Sequence, residues 1–483
     1  MALFFDQEWF NRALADIGSD RVRLGLTLGL DEEAMAEIWK DQRELSASEV
    51  AVIARVLQKS PLEVANHAGV STPVPHNVTG NDQQRLAVLE AAAARLRAQL
   101  AGPKKRLIFL ITEDWYFQSH RVPLATDAMA RGFEVTLATR FSEGRLAMQA
   151  KGIIPFDLPW RRGLPNFGDL KAFVRLFGLY RKSRPVMVHH VALKSVLLGT
   201  MAARLAGVEQ IINAIAGLGY MFTSATPRAR ILRAVFSLAA RLLLRGRNIT
   251  MIFQNADDRD RLCALIGRDP ASCEIVPGAG IDIAQYPDCP ARDGDETIIA
   301  LVARMLAIKG VDLAVAAAKI ARARGANLRL QLVGPVDQTN PSGLSADDLN
   351  AWSTDPGIEW LGHRSDIKAI WAQADIALLP SRGGEGLPKA LLEAAASGRP
   401  LIGTDVAGIR DLVVDGVTGI LVPPDNVEKL ADAMVRLAQS APLRAQYGAA
   451  ARRHVSDGFS TDRVVRQIGT LHDRLWARIS PRQ

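Results

Sequence analysis

Residues 376–379 are apolar without alternation, which is typical of a strand covered on both faces in a parallel sheet. Further strands are predicted at residues 106–112, 298–302 and 328–335. Segments of helical length follow them, and this alternation of strand and helix predicts an α/β chain with parallel sheets. The first hundred residues differ from the rest and predict helices only.

Two helical segments of this N-terminal extension, residues 31–39 and 46–70, resemble the second and last helices of a phage-repressor helix-turn-helix domain. Only KDQREL separates them, which is too short for the recognition helix and its turn, so base reading is disfavoured. An Ala-rich helix is predicted at residues 82–100. We expect a small helical domain at residues 1–75 and a linker helix at 76–103, with partner binding or self-association through the first hundred residues.

The segment from Asp375 to Asp411 predicts a ligand site built from a strand, a glycine-rich turn, a helix and a second strand. Glycines such as Gly384 and Gly386 let the backbone approach a ligand closely. A helix that begins at Leu387 or Pro388 directs unpaired N–H groups and its positive dipole end toward the turn. This arrangement favours a phosphate-bearing ligand.

Two glutamates, Glu385 in the turn and Glu393 on the helix, can contact different parts of one elongated ligand. Such a pair also occurs on solvated helices, so the surrounding segments PSRGGEGLPKALLEAAASGRP, GTDVAGIRDLV and DGVTGILVPPDN are more informative. Together they resemble the retaining glycosyltransferases of family 4. The resemblance implies that Glu385 contacts the donor sugar and that Glu393 contacts the ribose. It also implies donor contacts from Gly384, Gly386, Leu387 and Pro388.

Two basic residues, Arg304 and Lys309, follow the strand at residues 298–302. They lie beyond its carboxyl end, where open α/β sheets bind ligands. A nucleoside diphosphate leaving group gains charge as the sugar departs, and fixed cations stabilise that charge. The two residues resemble the family's Arg and Lys that bind the donor diphosphate, and the alternative is a solvated surface role. Loops after the next two strands resemble parts of the nucleobase pocket through Gly334, His363 and Arg364.

Residues 104–290 predict a first Rossmann-like domain, which begins with the buried strand at 106–112. The G-x-G-x-x-G of dinucleotide-binding proteins is missing, which disfavours a hydride-transfer enzyme. The segments ED-x-x-F-x-SHR, H-x-x-x-x-K, NAIAGLGYMF and IFQNADDRD resemble one branch of the family. Its members are bacterial enzymes that extend undecaprenyl diphosphate-linked sugars for O-antigen, capsule or glycoprotein glycans. The resemblance implies a polyprenyl diphosphate-linked saccharide as acceptor.

One histidine of this domain is a candidate catalytic residue. Family enzymes often carry a histidine near the donor sugar, and His189 matches that position through H-x-x-x-x-K. The neighbouring His190 is the alternative, and a structural role remains open.

Further polar residues of the same domain are candidates for binding the acceptor. We expect His120, Arg121 and Lys194 at helix N-termini, where anionic groups such as a diphosphate bind favourably. Glu113 and Asp114 end the first strand and are placed to accept a hydrogen bond from an acceptor hydroxyl or to act as its base. The alternative for both is a solvated loop carboxylate.

Length and composition fit this architecture. The 483 residues predict two or three domains, and a hydrophobic fraction of 48% supplies their cores. Cys263, Cys273 and Cys289 match no metal spacing and indicate a reducing cytosol. The N-terminus lacks signal-peptide features, and the longest uncharged run, residues 210–226, contains glycines and hydroxyl side chains that disfavour a membrane span.

The net charge of +8 is unevenly spread, because residues 228–247 contain six arginines and no acid. This composition is typical of a basic amphipathic helix that lies on an anionic leaflet. The alternative is an ordinary outer helix with solvated arginines. Aromatic residues for base stacking are missing, which disfavours nucleic acid. We therefore expect a cytoplasmic protein that is peripheral on the inner membrane face.

These expectations combine into a GT-B fold with an acceptor domain at residues 104–290, a donor domain at 291–457 and a crossing helix at 458–483. The D-x-D at residues 293–295 precedes a strand instead of following one, so neither a metal nor another cofactor is expected. The resemblance implies a retaining, metal-independent hexosyltransferase that uses a nucleoside diphosphate sugar, with a uridine nucleotide as the family-level expectation. It would serve cell-surface polysaccharide synthesis. The alternatives are a DNA-binding or regulatory protein with a transferase-like body and a nucleotide-sugar epimerase of the same fold.

Overall fold

The computed structural model describes residues 5–70, 105–160, 167–219, 222, 226–289, 294–337, 340 and 342–479. Contacts divide the chain into two compact units, residues 1–102 and 103–483. The helix predicted at residues 82–100 lies outside the described residues.

The first unit is a group of short helices with its own apolar core. The helices are α1 (Gln7–Asp16), α2 (Arg21–Leu28), α3 (Glu32–Trp39), α4 (Ala47–Val56) and α5 (Pro61–His67). Each begins after an aspartate or serine whose side chain accepts a first-turn N–H. Phe10, Trp39 and Ile53 lie in the core. The predicted helical extension is therefore present, residues 40–46 form no helix, and the phage-repressor resemblance stays a prediction.

The first domain of the second unit is built on a parallel sheet with strand order β3-β2-β1-β4-β5-β6-β7. The strands are β1 (Arg106–Glu113), β2 (Glu134–Arg140), β3 (Ile154–Asp157), β4 (Met187–Val191), β5 (Gln210–Ile215), β6 (Ile249–Phe253) and β7 (Glu274–Ile275). The helices are α6 (Asp114–His120), α7 (Val122–Ala130), α8 (Arg145–Ala150), α9 (Phe167–Ser183), α10 (Leu193–Ala206), α11 (Pro227–Leu243) and α12 (Ala256–Ile266). Helical crossovers cover both faces of such a sheet, which explains its continuous apolar strands.

The second domain contains a parallel sheet with strand order β10-β9-β8-β11-β12-β13. The strands are β8 (Thr297–Val302), β9 (Leu328–Val333), β10 (Ile358–Gly362), β11 (Ile376–Leu379), β12 (Leu401–Thr404) and β13 (Gly419–Val422). The helices are α13 (Val311–Ala323), α14 (Ala346–Trp352), α15 (Ile367–Gln373), α16 (Lys389–Ala396), α17 (Val427–Ala438) and α18 (Ala441–Phe459). The α/β architecture predicted from the apolar stretches is confirmed.

The C-terminal helix α19 (Thr461–Ile479) packs against the first domain. Its apolar residues Val464, Ile468 and Leu471 share one cluster with Leu107 and Phe109 of β1. The chain thus leaves the second domain and completes the core of the first. No helix in the described part of the chain combines the length and apolar character that a membrane span requires.

Candidate active site

The strand order of the second sheet reverses between β8 and β11, and open α/β sheets bind ligands at such a switch point. Lys309 follows β8 and Glu385 follows β11. The Lys309 Nζ donates to both carboxylate oxygens of Glu385, at 2.6 and 2.8 Å. Only 7% of the Glu385 side chain is exposed. The structure therefore joins two predicted site residues in one largely buried ion pair.

Glu393 lies on α16, which begins after Pro388, so this proline is the N-cap residue and not the first helical residue. The Tyr286 hydroxyl donates to Glu393 Oε1 at 3.0 Å, and Lys389 Nζ lies 3.7 Å from the same oxygen. Burial raises the pKa of Glu393, although Lys389 and Tyr286 act in the opposite direction. Tyr286 and Lys389 were not identified from the sequence. The spacing of four residues between Lys389 and Glu393 on one helix could have revealed the lysine, whereas no local pattern marks Tyr286 as a neighbour of Glu393.

The other predicted donor contacts follow β8, β9 and β10 at the same edge of the sheet. Arg304 Nη1 lies 2.6 Å from Asp337 Oδ2, and this arginine is partly exposed. Gly334 has a φ of +152°, and a Cβ there would lie 1.8 Å from a backbone oxygen of the β8 loop, so the position requires glycine. His363 is exposed, and Arg364 pairs with an aspartate two residues on. Arg304, His363 and Arg364 are thus at least partly exposed, and their donor contacts stay a prediction.

The donor loop, which we define as residues 383–388, packs against the first domain. A Cβ at Gly217, where φ is +98°, would lie 2.7 Å from the Gly386 nitrogen and 2.9 Å from the Gly384 oxygen. Asn255 Nδ2 donates to the Gly386 oxygen at 2.9 Å. Both first-domain residues fall in segments that carried the family resemblance, but their contact with the donor loop was missed. Two glycine loops, one from each domain, are therefore in close contact at one side of the cleft between the two domains.

A small cavity with room for about one water molecule lies in the first domain beside the donor loop. Arg121, His189 and Gln254 line it together with Gly278, which lies 3.2 Å from Arg121 Nη1 through its backbone oxygen. His189 is fully buried, and neither ring nitrogen has a hydrogen-bond partner among the described residues. Burial, with added repulsion from His472 and Arg121, holds the pKa of His189 well below its ordinary value. His189 is therefore a neutral imidazole.

The structure corrects the expectation for His120. This residue ends α6 instead of beginning a helix, and its ring stacks on Tyr116 with 4.2 Å between centroids. Burial and the charges of Lys389 and Arg121 lower the pKa of His120 to about 3. A neutral His120 offers no charge to a diphosphate. Arg121 instead stands at the N-terminus of α7, as its N-cap residue.

Glu113 and Asp114 are buried, which excludes the alternative that they are solvated loop carboxylates. Arg140 Nη2 lies 2.7 Å from Glu113 Oε2. Asp114 accepts hydrogen bonds from the backbone of Ser142 and Gly144, both at 2.9 Å. Burial alone would raise the pKa of Asp114, but these hydrogen bonds outweigh it and lower the pKa. Both carboxylates stabilise the loop ends of the first sheet, and their acceptor role stays a prediction.

His190 and Lys194 are also engaged inside the first domain. The ring nitrogens of His190 meet Asn213 Oδ1 at 2.9 Å and the Tyr180 hydroxyl at 3.1 Å. Burial lowers the pKa of His190 to about 4. Lys194 Nζ lies 2.6 Å from Asp169 Oδ1. Between the two histidines, His189 is thus the one that faces the cavity.

No group of three His, Cys, Asp or Glu side chains suited to a metal ion occurs within the described ranges. The D-x-D at residues 293–295 precedes β8, and Asp293 lies outside those ranges. Lys309 and Arg304 both follow β8 at the carboxyl edge of the second sheet, where each is paired with a carboxylate, and their role toward an anionic ligand stays a prediction.

Comparison with protein families matches residues 106–255 to "Glycosyl transferase 4-like" and residues 296–440 to "Glycosyl transferases group 1". The capsular polysaccharide biosynthesis glycosyltransferase CapM of Staphylococcus aureus is 23% identical over 346 residues, which cover 69% of this chain and 88% of CapM. The UDP-Gal:alpha-D-GlcNAc-diphosphoundecaprenol alpha-1,3-galactosyltransferase of Escherichia coli is 25% identical over 328 residues, which cover 65% of this chain and 80% of that enzyme.

Among solved structures, HepE of Anabaena in complex with UDP and glucose has a TM-score of 0.62 at 15% identity, over 76% of this chain and 99% of HepE. This similarity confirms the GT-B fold. The comparisons give no support to the DNA-binding and epimerase alternatives. The chain therefore belongs to the glycosyltransferases, with a 4-like domain followed by a group 1 domain.

Proposed function

We propose that the enzyme transfers a sugar from a uridine diphosphate sugar to a polyprenyl diphosphate-linked saccharide, with retention and without a metal ion. The observation that carries the proposal is the Lys309–Glu385 ion pair at the switch point of the second sheet. The substrates are supported by the names of two relatives, since one gives UDP-Gal and a diphosphoundecaprenol-linked sugar and the other gives capsular polysaccharide synthesis. The product would serve cell-surface polysaccharide synthesis.

Lys309 and Glu385 bind different parts of the donor in this proposal. A donor diphosphate attracts the Lys309 ammonium, and a Glu385 oxygen then becomes available to a sugar hydroxyl. The ammonium stabilises the negative charge that develops on the diphosphate as the glycosidic bond breaks. Arg304 adds a second cation at the same edge of the sheet.

Glu393 binds the ribose in this proposal. Its carboxylate is largely buried and already accepts a hydrogen bond from Tyr286. Two neighbouring ribose hydroxyls can donate to a single carboxylate, which has room for about four hydrogen bonds. Lys389 balances part of its charge.

Arg121 and His189 bind substrate groups from the first domain in this proposal. Arg121 is 4% exposed, and the partner of its Nη1 is a backbone oxygen and not a carboxylate. A buried cation without an ionic partner is costly, so an anion beside it is favourable. We assign Arg121 to an acceptor phosphate and neutral His189 to a hydrogen bond with a sugar hydroxyl.

UDP release from a panel of UDP-sugars, with and without a polyprenyl diphosphate-linked saccharide, tests the reaction. At 100 times its dissociation constant, the correct donor should stabilise the protein by about 2.7 kcal/mol in thermal melting. Glu393→Ala should lose this protection, whereas Glu428→Ala, at an exposed position of α17, should keep it. Acceptor-dependent UDP release from none of the panel, or full protection of the Glu393 variant, would contradict the proposal.

The enzyme docks on an anionic leaflet through α11 in this proposal. Four apolar side chains, at least 63% exposed, recur at intervals of three or four residues on its surface: Ile231, Val235, Leu238 and Leu242. Side chains at this spacing share one helix face. No acid occurs in this helix, and Arg230 and Arg241 are exposed beside the apolar stripe. Anionic lipid suits a surface with this combination.

Co-sedimentation with vesicles tests the membrane contact. Wild type should bind phosphatidylglycerol vesicles more tightly than phosphatidylcholine vesicles. The Val235→Ser and Leu238→Ser double variant should lose this binding, and Val417→Ser, at an exposed apolar position of the second domain, should retain it. Equal binding to both kinds of vesicle, or unchanged binding of the double variant, would exclude docking through this face.

A further inference from the structure

We propose that Asn255 is a positioning residue for transfer, because it holds the donor loop of the second domain in place from the first domain. The inference rests on the proposed donor role of Glu385. Asn255 lies in the IFQNADDRD segment, and its side-chain hydrogen bonds within the described part of the chain join it to Asp258 and to two backbone oxygens of the donor loop. It acts on the backbone that carries Glu385.

The orientation of the Asn255 amide follows from its place in the fold. Asn255 is the N-cap residue of α12, and its Oδ1 accepts the Asp258 N–H at 2.8 Å. Since the oxygen is committed to the helix, the NH₂ group is left as the donor. It donates to Asp258 Oδ2 on the same helix at 3.2 Å and to the Gly386 oxygen of the donor loop at 2.9 Å, and it lies 3.5 Å from the Glu385 oxygen. Asn255 is 2% exposed, so water does not compete for these bonds.

The donor loop has little freedom once this bond is made. A Cβ at Gly386 would lie 2.1 Å from Gln254 Oε1 and 2.8 Å from the carbonyl carbon of Ala216. A Cβ at Gly408, on the other side, would lie 2.1 Å from the Gly386 oxygen. The loop backbone is therefore enclosed, and the Asn255 hydrogen bonds orient the two peptide groups that follow Glu385. The direction of the Glu385 side chain depends on that orientation.

The Asn255 hydrogen bond also makes the orientation of the donor loop depend on contact between the two domains. Two other bonds between the domains are exposed: Arg410 Nη1 lies 3.1 Å from Asp257 Oδ2, and Lys389 Nζ lies 3.1 Å from the Ser119 oxygen. Exposed charged contacts are screened by water and contribute little. The buried amide bond is directional and forms only when the first domain meets the donor loop, so Glu385 reaches its working position only in the closed cleft.

Two substitutions separate the helix cap from the bond to the donor loop. Asn255→Ser retains a good N-cap residue, but its hydroxyl is too short to reach the Gly386 oxygen. Asn255→Asp retains the cap oxygen and places a second carboxylate oxygen against both the Gly386 oxygen and Asp258 Oδ2, so the serine variant is the cleaner test of the bond to the donor loop. For transfer, we expect kcat to fall by about tenfold in the serine variant and by more in the aspartate variant, with the donor KM changed less than about twofold. Asp257→Asn, which removes only the exposed contact with Arg410, should leave kcat unchanged.

Hydrogen–deuterium exchange of the backbone amides at residues 383–392 provides a readout that does not depend on activity. Exchange should be faster in both Asn255 variants than in wild type and unchanged in Asp257→Asn. If the Asn255 variants match wild type in exchange and in kcat per folded molecule, the residue is a helix cap only and the inference is overturned. If exchange responds but wild type transfers no sugar, the positioning contact stands and the proposed reaction is the part that fails.

Discussion

Replacing Lys309 by methionine removes the ammonium and keeps most of the side-chain volume, so it isolates the charge of the Lys309–Glu385 pair. The Glu385 carboxylate would keep its place with no cation beside it, and only 7% of its side chain is exposed. Removing one partner of a buried ion pair costs about 3–5 kcal/mol. Because 22% of the Lys309 side chain is exposed, we expect a loss near the lower end of that range.

The double variant Lys309→Met with Glu385→Gln separates stability from chemistry. Glutamine has no charge that needs a partner, so the double variant should regain most of the stability that the single variant loses. Transfer should remain impaired in both, since one preorganised electrostatic contact in an active site contributes about 10²–10³-fold to kcat. Thermal melting and acceptor-dependent UDP release measure the two effects on the same samples.

Two results would refute this reasoning. If Lys309→Met transfers sugar within about tenfold of wild type, the ammonium does not stabilise a leaving diphosphate. If the double variant melts as low as the single variant, the lost stability does not come from the stranded carboxylate. Lys429→Met, at an exposed position of α17, is the matched control and should change neither quantity.

Three further predictions concern buried polar groups. Burial raises the pKa of Asp258 to about 6, so the stability associated with its protonated form is present below pH 3.8 and is lost as the pH rises through about 6. Asp258→Asn should therefore melt above wild type at pH 8, with a difference that vanishes near pH 4 in melting curves across pH. Asn213→Ala leaves His190 Nδ1 without its hydrogen-bond partner, while Nε2 keeps the Tyr180 hydroxyl, and should cost about 1–3 kcal/mol in denaturation, with the donor KM unchanged in steady-state kinetics. Glu393→Gln should raise the donor KM. Removing the 2′- or 3′-hydroxyl of the donor ribose should raise the KM of wild type more than that of the variant. An equal increase in KM for both proteins would exclude ribose binding by Glu393.

The strands and loops that carry the donor site could be predicted from the sequence, because the patterns that mark them span only a few neighbouring residues. Apolar stretches identify strands without knowledge of their neighbours, and glycines or prolines mark the turns that follow them. Arg304, Lys309 and Glu385 were therefore placed beyond the correct strands. The contacts that these residues make could not be predicted in the same way, because no local pattern specifies which side chain lies opposite.

The surroundings of the candidate residues in the first domain were even harder to predict from the sequence. The sequence predicted His120 at a helix N-terminus, and it left Glu113 and Asp114 open between an acceptor-binding role and solvated loop carboxylates. Burial by neighbouring elements instead leaves His120 neutral and engages both carboxylates in internal hydrogen bonds or ion pairs. A pKa depends on solvation and nearby charge, which are properties of the packed molecule.

The amino-acid order by itself determined that this protein alternates strands and helices, where its glycine-rich turn lies and which residue types can meet a diphosphate. Packing decided that Lys309 neutralises Glu385, that His189 rather than His190 faces a cavity, and that Asn255 reaches the donor loop from another domain. The physical reason for this difference is the distance along the chain over which each effect acts. Backbone periodicity acts over a few residues, whereas these contacts join positions far apart in the chain that meet only when parallel strands align and two domains close.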